Sequence, residues 1–157
     1  MTLASGYLVR DLEKGDRTSW VELYSGYREF YRVPANDEAV ATTWEWMIGR
    51  KHGLRGIVAI DARGQVTALA NLRLFARPSA GKMGLYLDDL FTAPAARGTG
   101  AASALLRRAS EIANQEGANV VRWITADDNA VACRVYDHHA TATPWVTYDM
   151  QPLVADQ

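Results

Sequence analysis

Apolar residues in the first third of the chain recur at the spacing of a helix. Between Trp20 and Tyr31 six of them fall three or four positions apart, so they share one face, and five of the six are aromatic. Pro34 ends this pattern, and helical spacing returns over residues 36–48. The pattern therefore predicts two consecutive helices.

The spacing then changes to that of β-strands. Apolar runs over residues 56–60 and 66–77 flank the turn residues Asp61–Gly64, which predicts a hairpin. A third strand is expected over residues 85–92, although the acidic pair Asp88-Asp89 interrupts it. A short opening strand is expected at residues 7–10.

Strands and helices alternate in the last third of the chain. A glycine-rich turn at Arg97–Gly100 precedes a predicted helix that ends near Gly117, and a strand (120–125), a helix (129–138) and a closing strand (145–150) follow. The resulting order is β-α-α-β-β-β-α-β-α-β. This order predicts an α/β (α+β) fold with a mixed sheet and about four helices.

Composition narrows the class of protein. The 157 residues are 48% hydrophobic and 22% charged, which predicts one globular domain over residues 1–157. A formal charge of −1 disfavours a nucleic-acid partner, since such domains usually carry a basic excess. The single cysteine forms no internal disulfide, and no apolar run suits a signal peptide or membrane span. We therefore expect a cytoplasmic protein without a membrane partner.

Two short segments carry candidate chemistry. The turn Arg97–Ala102 opens a helix whose first N–H groups lack intrahelical partners, which suits a phosphate or pyrophosphate. A plain strand-to-helix connection explains the same glycines. Later, Asn129, Ala132, Cys133 and Tyr136 share one helix face, although for each residue alone a structural role, with Asn129 as a helix cap and Tyr136 as a core aromatic, is the better explanation.

Two further groups of side chains have competing interpretations. Asp88-Asp89 is either a catalytic pair or a solvated bulge, and both carboxylates can face one side only if the strand is distorted. His138-His139 suggests a metal site, but adjacent helical side chains diverge by about 100°, and no ligand partner has suitable spacing. No metal is therefore predicted.

Three motifs together resemble one family. Arg97-x-x-Gly100-x-Ala102 at the start of a helix matches the Arg/Gln-x-x-Gly-x-Gly/Ala signature of the GNAT N-acetyltransferase superfamily. The strand before it and the helix with Asn129, Ala132 and Tyr136 match as well. Tyr86-Leu87-Asp88-Asp89-Leu90-Phe91 is most similar to the diamine/polyamine (thialysine) and histone/polyamine branch. The resemblance implies a mostly antiparallel central sheet.

The resemblance also implies acetyl-CoA as donor and a primary amine as acceptor, with a polyamine, diamine or lysine-like small molecule favoured. The pyrophosphate would bind backbone N–H groups of the turn, the pantetheine would follow the preceding strand, and the later helix would face the cofactor. The implied cofactor-binding residues are Leu90, Phe91, Thr92, Arg97, Gly98, Thr99, Gly100, Ala101, Ala102, Asn129, Ala132 and Tyr136.

The family chemistry assigns roles to a few side chains. An ammonium must lose a proton before it attacks the thioester, so Asp88 is the expected base, through a water, with Asp89 as orienter or cation anchor. Tyr136 is the expected acid that protonates the leaving thiolate, in direct transfer within a ternary complex. Tyr27 and Tyr31 are expected to line the acceptor pocket, although core packing explains the same aromatic face.

Other functions remain open at this stage. A non-catalytic acyl-CoA sensor would carry the same cofactor turn, and the acceptor could instead be a protein or peptide amine or an antibiotic. Ala140-Thr141 stands where many relatives have Gly-Phe, so the C-terminal wall departs from the family pattern. Since the closing strand resembles strands that pair across a dimer in related enzymes, we expect a homodimer.

Overall fold

The computed structural model describes residues 6–155 of the chain. The predicted domain also includes residues 1–5 and 156–157, which lie outside this range. The helices and strands, in chain order, are β1 (Leu8–Asp11), α1 (Arg17–Phe30), α2 (Asp37–Ile48), β2 (Leu54–Ile60), β3 (Val66–Arg77), β4 (Lys82–Thr92), α3 (Ala101–Gln115), β5 (Ala118–Arg122) and α4 (Ala130–Asp137).

The strands form one sheet in the order β1-β2-β3-β4-β5. The first three pairings are antiparallel, and the pairing of β4 with β5 is parallel. Parallel neighbours need a crossover connection, and α3 supplies it. The predicted mixed, mostly antiparallel sheet with four helices is therefore confirmed.

Helices cover the two faces of the sheet unequally. α1 and α2 pack on one face over an aromatic-rich core, which includes Trp20, Trp44, Met47, Leu69 and Phe91. α3 packs on the opposite face over an aliphatic core, which includes Leu72, Leu85, Leu105 and Ile112. Residues of α4 join this second core only at its margin, since none of them is fully buried.

The C-terminal segment differs from the predicted order. Residues 145–150 form no strand in the structure, and the exposed fractions of Trp145 and Tyr148 are 82% and 89%. The residues have the composition of a strand, but a strand exists only where its backbone finds a partner edge. Within this chain the segment leaves the outer edge of β5 unpaired. The predicted closing strand is therefore wrong for the single chain.

The structure also bears on the predicted relation to membranes. No helix among residues 6–155 is long and apolar enough to cross a bilayer.

Candidate active site

A gap opens in the sheet where β4 and β5 separate. The two strands pair only from Met83 to Tyr86, where Tyr86 lies beside Arg122, whereas β4 continues for six more residues to Thr92. Along these six residues no neighbouring strand occupies the β5 side of β4 within the described range. Unpaired backbone groups at such an edge can bind an extended ligand as an added strand. Leu90 and Thr92, predicted to follow the pantetheine, lie on this stretch.

The glycine-rich turn closes one end of the gap. Gly98 and Gly100 have φ values of 76° and 94°, in the left-handed region that favours glycine. A side chain built at Gly98 would meet no atom within 4 Å, so the turn is open on that side. Gly100 is the N-terminal cap of α3, and no side chain of the described chain caps this helix. Its first N–H groups are therefore available to an anion.

Side chains of the turn are engaged away from this opening. The Arg97 guanidinium lies 5.4 Å from the ring centroids of Phe30 and Phe91, on the α1 side of the sheet. The Thr99 hydroxyl donates to the Ala96 carbonyl. The turn therefore offers backbone N–H groups, including those of Ala101 and Ala102, rather than charged side chains.

A β-bulge in β4 brings both acidic side chains to one face. Asn71 is the register partner of Asp89, whereas the next residue of β3, Leu72, pairs with Leu87, so Asp88 is the extra residue. Asp88 and Asp89 then contact Arg73 and Asn71, which lie two apart on β3 and share a face. The distortion required for a shared face is thus present.

Asp88 is held by an ion pair. Nε and Nη2 of Arg73 donate to its two carboxylate oxygens at 3.1 and 3.0 Å. The same guanidinium lies 5.0 Å from the ring centroid of Tyr86. Both Asp88 oxygens therefore already accept hydrogen bonds from a charged donor.

Asp89 has different surroundings. Asn71 Nδ2 donates to Asp89 Oδ2 at 2.9 Å, and the hydroxyls of Tyr24 and Tyr27 approach the same carboxylate as donors. Burial raises the pKa of Asp89 above its ordinary value, against the lowering effect of these donors, and the charge of Asp88 raises it further. A carboxylate with a raised pKa is a better general base near neutral pH.

The aromatic face of α1 serves two purposes along its length. Trp20 and Tyr24 are buried in the core, whereas Tyr31 at the end of the helix is 39% exposed. Tyr27 lies between them, with its ring centroid 5.6 Å from that of Tyr24 and 4.8 Å from that of Tyr31. The first half of this aromatic face therefore belongs to the core, and the second half forms an open aromatic wall beside Asp89.

Tyr136 on α4 lies on the other side of the gap. Its ring centroid is 5.3 Å from that of Trp123, which follows β5. Burial raises the pKa of Tyr136 to about 12, and nearby Tyr31 and Cys133 raise it as well. The phenol therefore keeps its proton at neutral pH and can donate it.

Other predicted residues of α4 have modest contacts. Asn129 occupies the N-terminal cap position, but its side chain makes no capping bond and instead donates to the Thr125 hydroxyl at 3.4 Å. Ala132 and Cys133 are half-buried on the helix. Of the neighbouring histidines, His139 contacts Ser103, and no group of three or more metal-ligating side chains occurs among residues 6–155.

The candidate active site lies at the gap between β4 and β5, although the molecule also has a separate cleft. A cleft of about 1250 Å³ lies between α1, the turn that joins β2 to β3, and residues 93–97. Asp88, Asp89 and Tyr136 do not line it. The carboxylates and the phenol instead lie on opposite sides of the unpaired stretch of β4, and Tyr31 lies between the two groups.

This arrangement of sheet, gap and turn agrees with a family comparison. The model of the Acetyltransferase (GNAT) family matches residues 20–140, which include the bulge, the turn and Tyr136. The chain belongs to this family. It is a GNAT N-acetyltransferase.

Individual relatives resemble most of the chain. An uncharacterized N-acetyltransferase of Bacillus subtilis, YhfO, is 26% identical over 132 residues, 83% of this chain and 87% of that protein. The D-amino-acid N-acetyltransferase HPA3 of Saccharomyces cerevisiae is 25% identical over 142 residues, 90% of this chain and 88% of that protein. Both are similar to this GNAT protein over nearly their whole length.

One solved structure shows how well the fold agrees. AAC(6')-Iy, in complex with the bisubstrate analog CoA-S-monomethyl-acetylneamine, superposes with a TM-score of 0.81. The match covers 94% of this chain and 99% of that chain at 16% sequence identity. At this identity the likeness concerns the fold of the GNAT protein.

Sequence reasoning missed two residues of the candidate site. Arg73 and Asn71 have the pattern of ordinary positions in a predicted strand. The position of Asn71 between the buried residues Leu69 and Leu72 contains one usable signal, because a polar Asn in the middle of an apolar strand needs a hydrogen-bond partner. The identity of that partner depends on the register of β3 with β4.

Proposed function

We propose that this GNAT protein transfers the acetyl group of acetyl-CoA to a primary amine of a small molecule, by direct attack in a ternary complex. One observation carries the proposal: a half-buried carboxylate, Asp89, and a protonated phenol, Tyr136, lie on opposite sides of an unpaired strand edge. The first suits deprotonation of an incoming amine, and the second suits protonation of a departing thiolate.

The donor would be held mostly by backbone. The pyrophosphate would accept hydrogen bonds from the N–H groups of Gly98–Ala102 at the positive end of α3. The pantetheine arm would pair with the open edge of β4 along Leu90, Phe91 and Thr92. A backbone N–H near Leu90 would then polarise the thioester carbonyl as an oxyanion hole. The open side of Gly98 and the missing strand beside β4 support this placement.

The structure leads us to exchange the two acidic roles. Asp89 would take a proton from the acceptor ammonium, directly or through a water, because its pKa is raised and no cation pairs with it in the described chain. Asp88 would fix the bulge through its ion pair with Arg73. The amine nitrogen would attack the thioester carbon, the C–N bond would form, the C–S bond would break, and the thiolate would take the Tyr136 proton. The second proton that the nitrogen loses would return through water to the Tyr136 oxygen, and Asp89 would release its proton to solvent.

The acceptor would be a polyamine, a diamine or a lysine-like amine. An alkylammonium suits a pocket with one half-buried carboxylate and an aromatic wall, since cations bind the faces of tyrosine rings. Tyr27 and Tyr31 supply that wall, and the exposed acids Glu29 and Asp37 lie on the neighbouring helices. These contacts support a cationic acceptor and favour no particular chain length.

A second acceptor class is an amine that also carries a carboxylate. HPA3, a D-amino-acid N-acetyltransferase, is one of the similar proteins. Arg122 lies where β4 and β5 separate, 5.7 Å from the ring centroid of Phe75, and forms no ion pair with any carboxylate among residues 6–155. Its guanidinium could bind an anionic group of the acceptor. Substitution of Arg122 by Gln would raise KM for amino acids alone.

The assay is thiol release from acetyl-CoA with a panel of amines. The panel contains spermidine, putrescine, lysine, D-amino acids, an aminoglycoside and a peptide amine, and each is run with the wild type and with Tyr136→Phe. Amine-dependent release that falls in the variant supports the proposal and names the acceptor class. Acetyl-CoA binding without turnover across the panel would favour an acyl-CoA sensor, and absence of acetyl-CoA binding would contradict the donor.

We also propose that the protein is a homodimer joined by its C-terminal segment. Residues 145–154 expose apolar side chains and form no helix or strand, and the outer edge of β5 is unpaired. A segment with strand-like composition and an open strand edge are complementary, so the segment of one copy would pair with the sheet of the other. A monomer in sedimentation velocity at micromolar concentration would contradict this.

A further inference from the structure

Asn71 is the one polar residue other than Asp16 that is buried within the described chain. Only 1% of its surface is exposed, and it lies in the middle of β3 between the buried residues Ala70 and Leu72. Its Nδ2 donates to Asp89 at 2.9 Å. Its Oδ1 has no hydrogen-bond partner.

Such an amide is unfavourable for folding alone. A buried carbonyl oxygen without a donor loses its hydration and gains nothing in return, and a hydrophobic residue would fill the same position in a strand. The single contact that the amide makes with a polar side chain is the one with Asp89. This contact therefore needs an explanation other than core packing.

The position of Asn71 relative to the bulge supplies that explanation. Asn71 is the register partner of Asp89, and the pairing of β3 with β4 shifts immediately after it. The carboxylate therefore leaves the bulge directly opposite the amide, with Tyr24 and Tyr27 approaching from α1. Asn71 therefore donates to the Asp89 carboxylate from β3, and the other two donors are the phenols of α1.

We propose that Asn71 is a positioning residue, which holds Asp89 in an ionised state directed at the acceptor amine. The inference rests on the proposed function of Asp89 as base and extends it to a residue that does not touch the substrate. The amide donor stabilises the carboxylate form and restricts its rotamer, whereas the two phenols do so from the opposite side.

The charged and titratable surroundings of Asp89 define what the test must separate. Asp88 from β4 raises the pKa of Asp89, and Tyr24 and Tyr27 from α1 lower it by donation. Arg28 of α1 lies near Tyr24, and Arg73 of β3 neutralises Asp88. None of these groups changes when Asn71 alone is substituted.

Asn71→Thr and Asn71→Val form a matched pair, because the two side chains have the same shape and suit a strand, but only threonine carries a hydroxyl donor. We expect Asn71→Val to move the acid limb of kcat/KM to higher pH by about one unit and to lower kcat/KM about tenfold at neutral pH. Asn71→Thr should retain most of both. KM for acetyl-CoA should stay unchanged in each variant.

The decisive readout is the titration of the Asp89 carboxyl by carbon NMR, which needs no substrate. A higher Asp89 pKa in Asn71→Val than in the wild type or Asn71→Thr supports the inference. An unchanged pKa with folded variants overturns it. If the pKa moves but no amine in the panel is acetylated, the proposed function fails while the role of Asn71 stands.

Asn119→Leu is the control for loss of an amide. This residue is exposed on β5, where its carbonyl oxygen accepts from Arg77, far along the sheet from the bulge. We expect the Asp89 titration and the pH profile of this variant to match those of the wild type. A shift in the control equal to that in Asn71→Val would show a general effect of strand substitution and overturn the inference.

Discussion

The two sides of the gap are built differently. The acceptor side consists of α1, β3 and β4, where Asn71 is buried and Asp89 contacts side chains from two neighbouring elements. The leaving-group side consists of α4 and the segment after it, where no helix residue is fully buried and Trp145 is 82% exposed. The proposed base, Asp89, is therefore enclosed by packed elements of the sheet and α1, whereas the proposed acid, Tyr136, lies beside an uncovered surface.

In the proposed mechanism, the two sides would therefore obtain their rigidity from different parts of the molecule. A carboxylate held from β3, β4 and α1 keeps one geometry because several packed elements would have to move together. Tyr136 is fixed mainly by Trp123 and by the margin of the second core. We infer that the acid side gains its final rigidity from a second copy of the chain, as proposed above.

The largest expected effect comes from Asp89→Asn, compared with Asp88→Asn, because the pair tests whether the two acids differ in role. Asparagine keeps the size of either side chain but cannot take a proton at neutral pH. Asp89→Asn should lower kcat/KM by about 10³-fold, within the range for loss of a general base, and Asp88→Asn by about tenfold or less. Steady-state thiol release at saturating acetyl-CoA measures both. Equal losses would show that the two acids do not differ in role.

Tyr136→Phe tests the other side of the gap. The ring and its contact with Trp123 remain, and only the proton donor is lost, so kcat should fall by about 10²-fold with KM for acetyl-CoA unchanged. Tyr148→Phe is the matched control, since it also removes one phenol hydroxyl but keeps the aromatic ring that the proposed dimer contact would use. A large rise in KM for acetyl-CoA with unaltered kcat would assign Tyr136 to binding rather than to proton transfer.

The proposed cover of the acid side is tested by Trp145→Ser combined with Tyr148→Ser. If the C-terminal segment pairs with a second copy, loss of both aromatic anchors should convert a dimer to a monomer and lower activity about tenfold. Sedimentation velocity and steady-state rates on the same sample provide the measurement. Asp149→Asn, in the same segment, should leave both unchanged.

The smallest expected effect is on thermal stability, where Asp89→Asn should raise the Tm although it lowers activity. Because the folded pKa of Asp89 is raised, its contribution to stability is fully present below the unfolded pKa and is lost as pH rises through the folded pKa. Asparagine does not titrate. At pH 7 the Tm of Asp89→Asn should therefore exceed that of the wild type, by about 2–4 °C for each kcal/mol gained. Thermal unfolding near pH 3 should show no such advantage.

Much of the fold was predictable from local patterns. The aromatic spacing from Trp20 to Tyr31 indicated α1, and Asn36 marked the start of α2, where its side chain accepts from the Ala39 N–H at 3.0 Å. The change to strand spacing indicated β2 and β3. These features depend on residues close in sequence, so one chain is enough to show them.

The pairing of distant residues was not predictable in the same way. Nothing in the local sequence distinguishes Asp88 from Asp89, and their roles differ because Arg73 and Asn71 lie 15 and 18 positions earlier on the adjacent strand. Residues 145–150 do have the composition from which a closing strand was predicted. They form no strand in the single chain, because strand formation requires a partner edge as well as a suitable sequence.

Local sequence was therefore enough to predict the four helices, the five strands of the sheet and the glycine-rich turn, since each follows from periodicity or turn geometry within a few positions. The surroundings of the two carboxylates depend on tertiary structure, because a bulge in β4 and the register with β3 place one acid beside a guanidinium and the other beside an amide and two phenols. Register is a property of two strands together, and a side chain acquires its pKa only from the neighbours that register supplies.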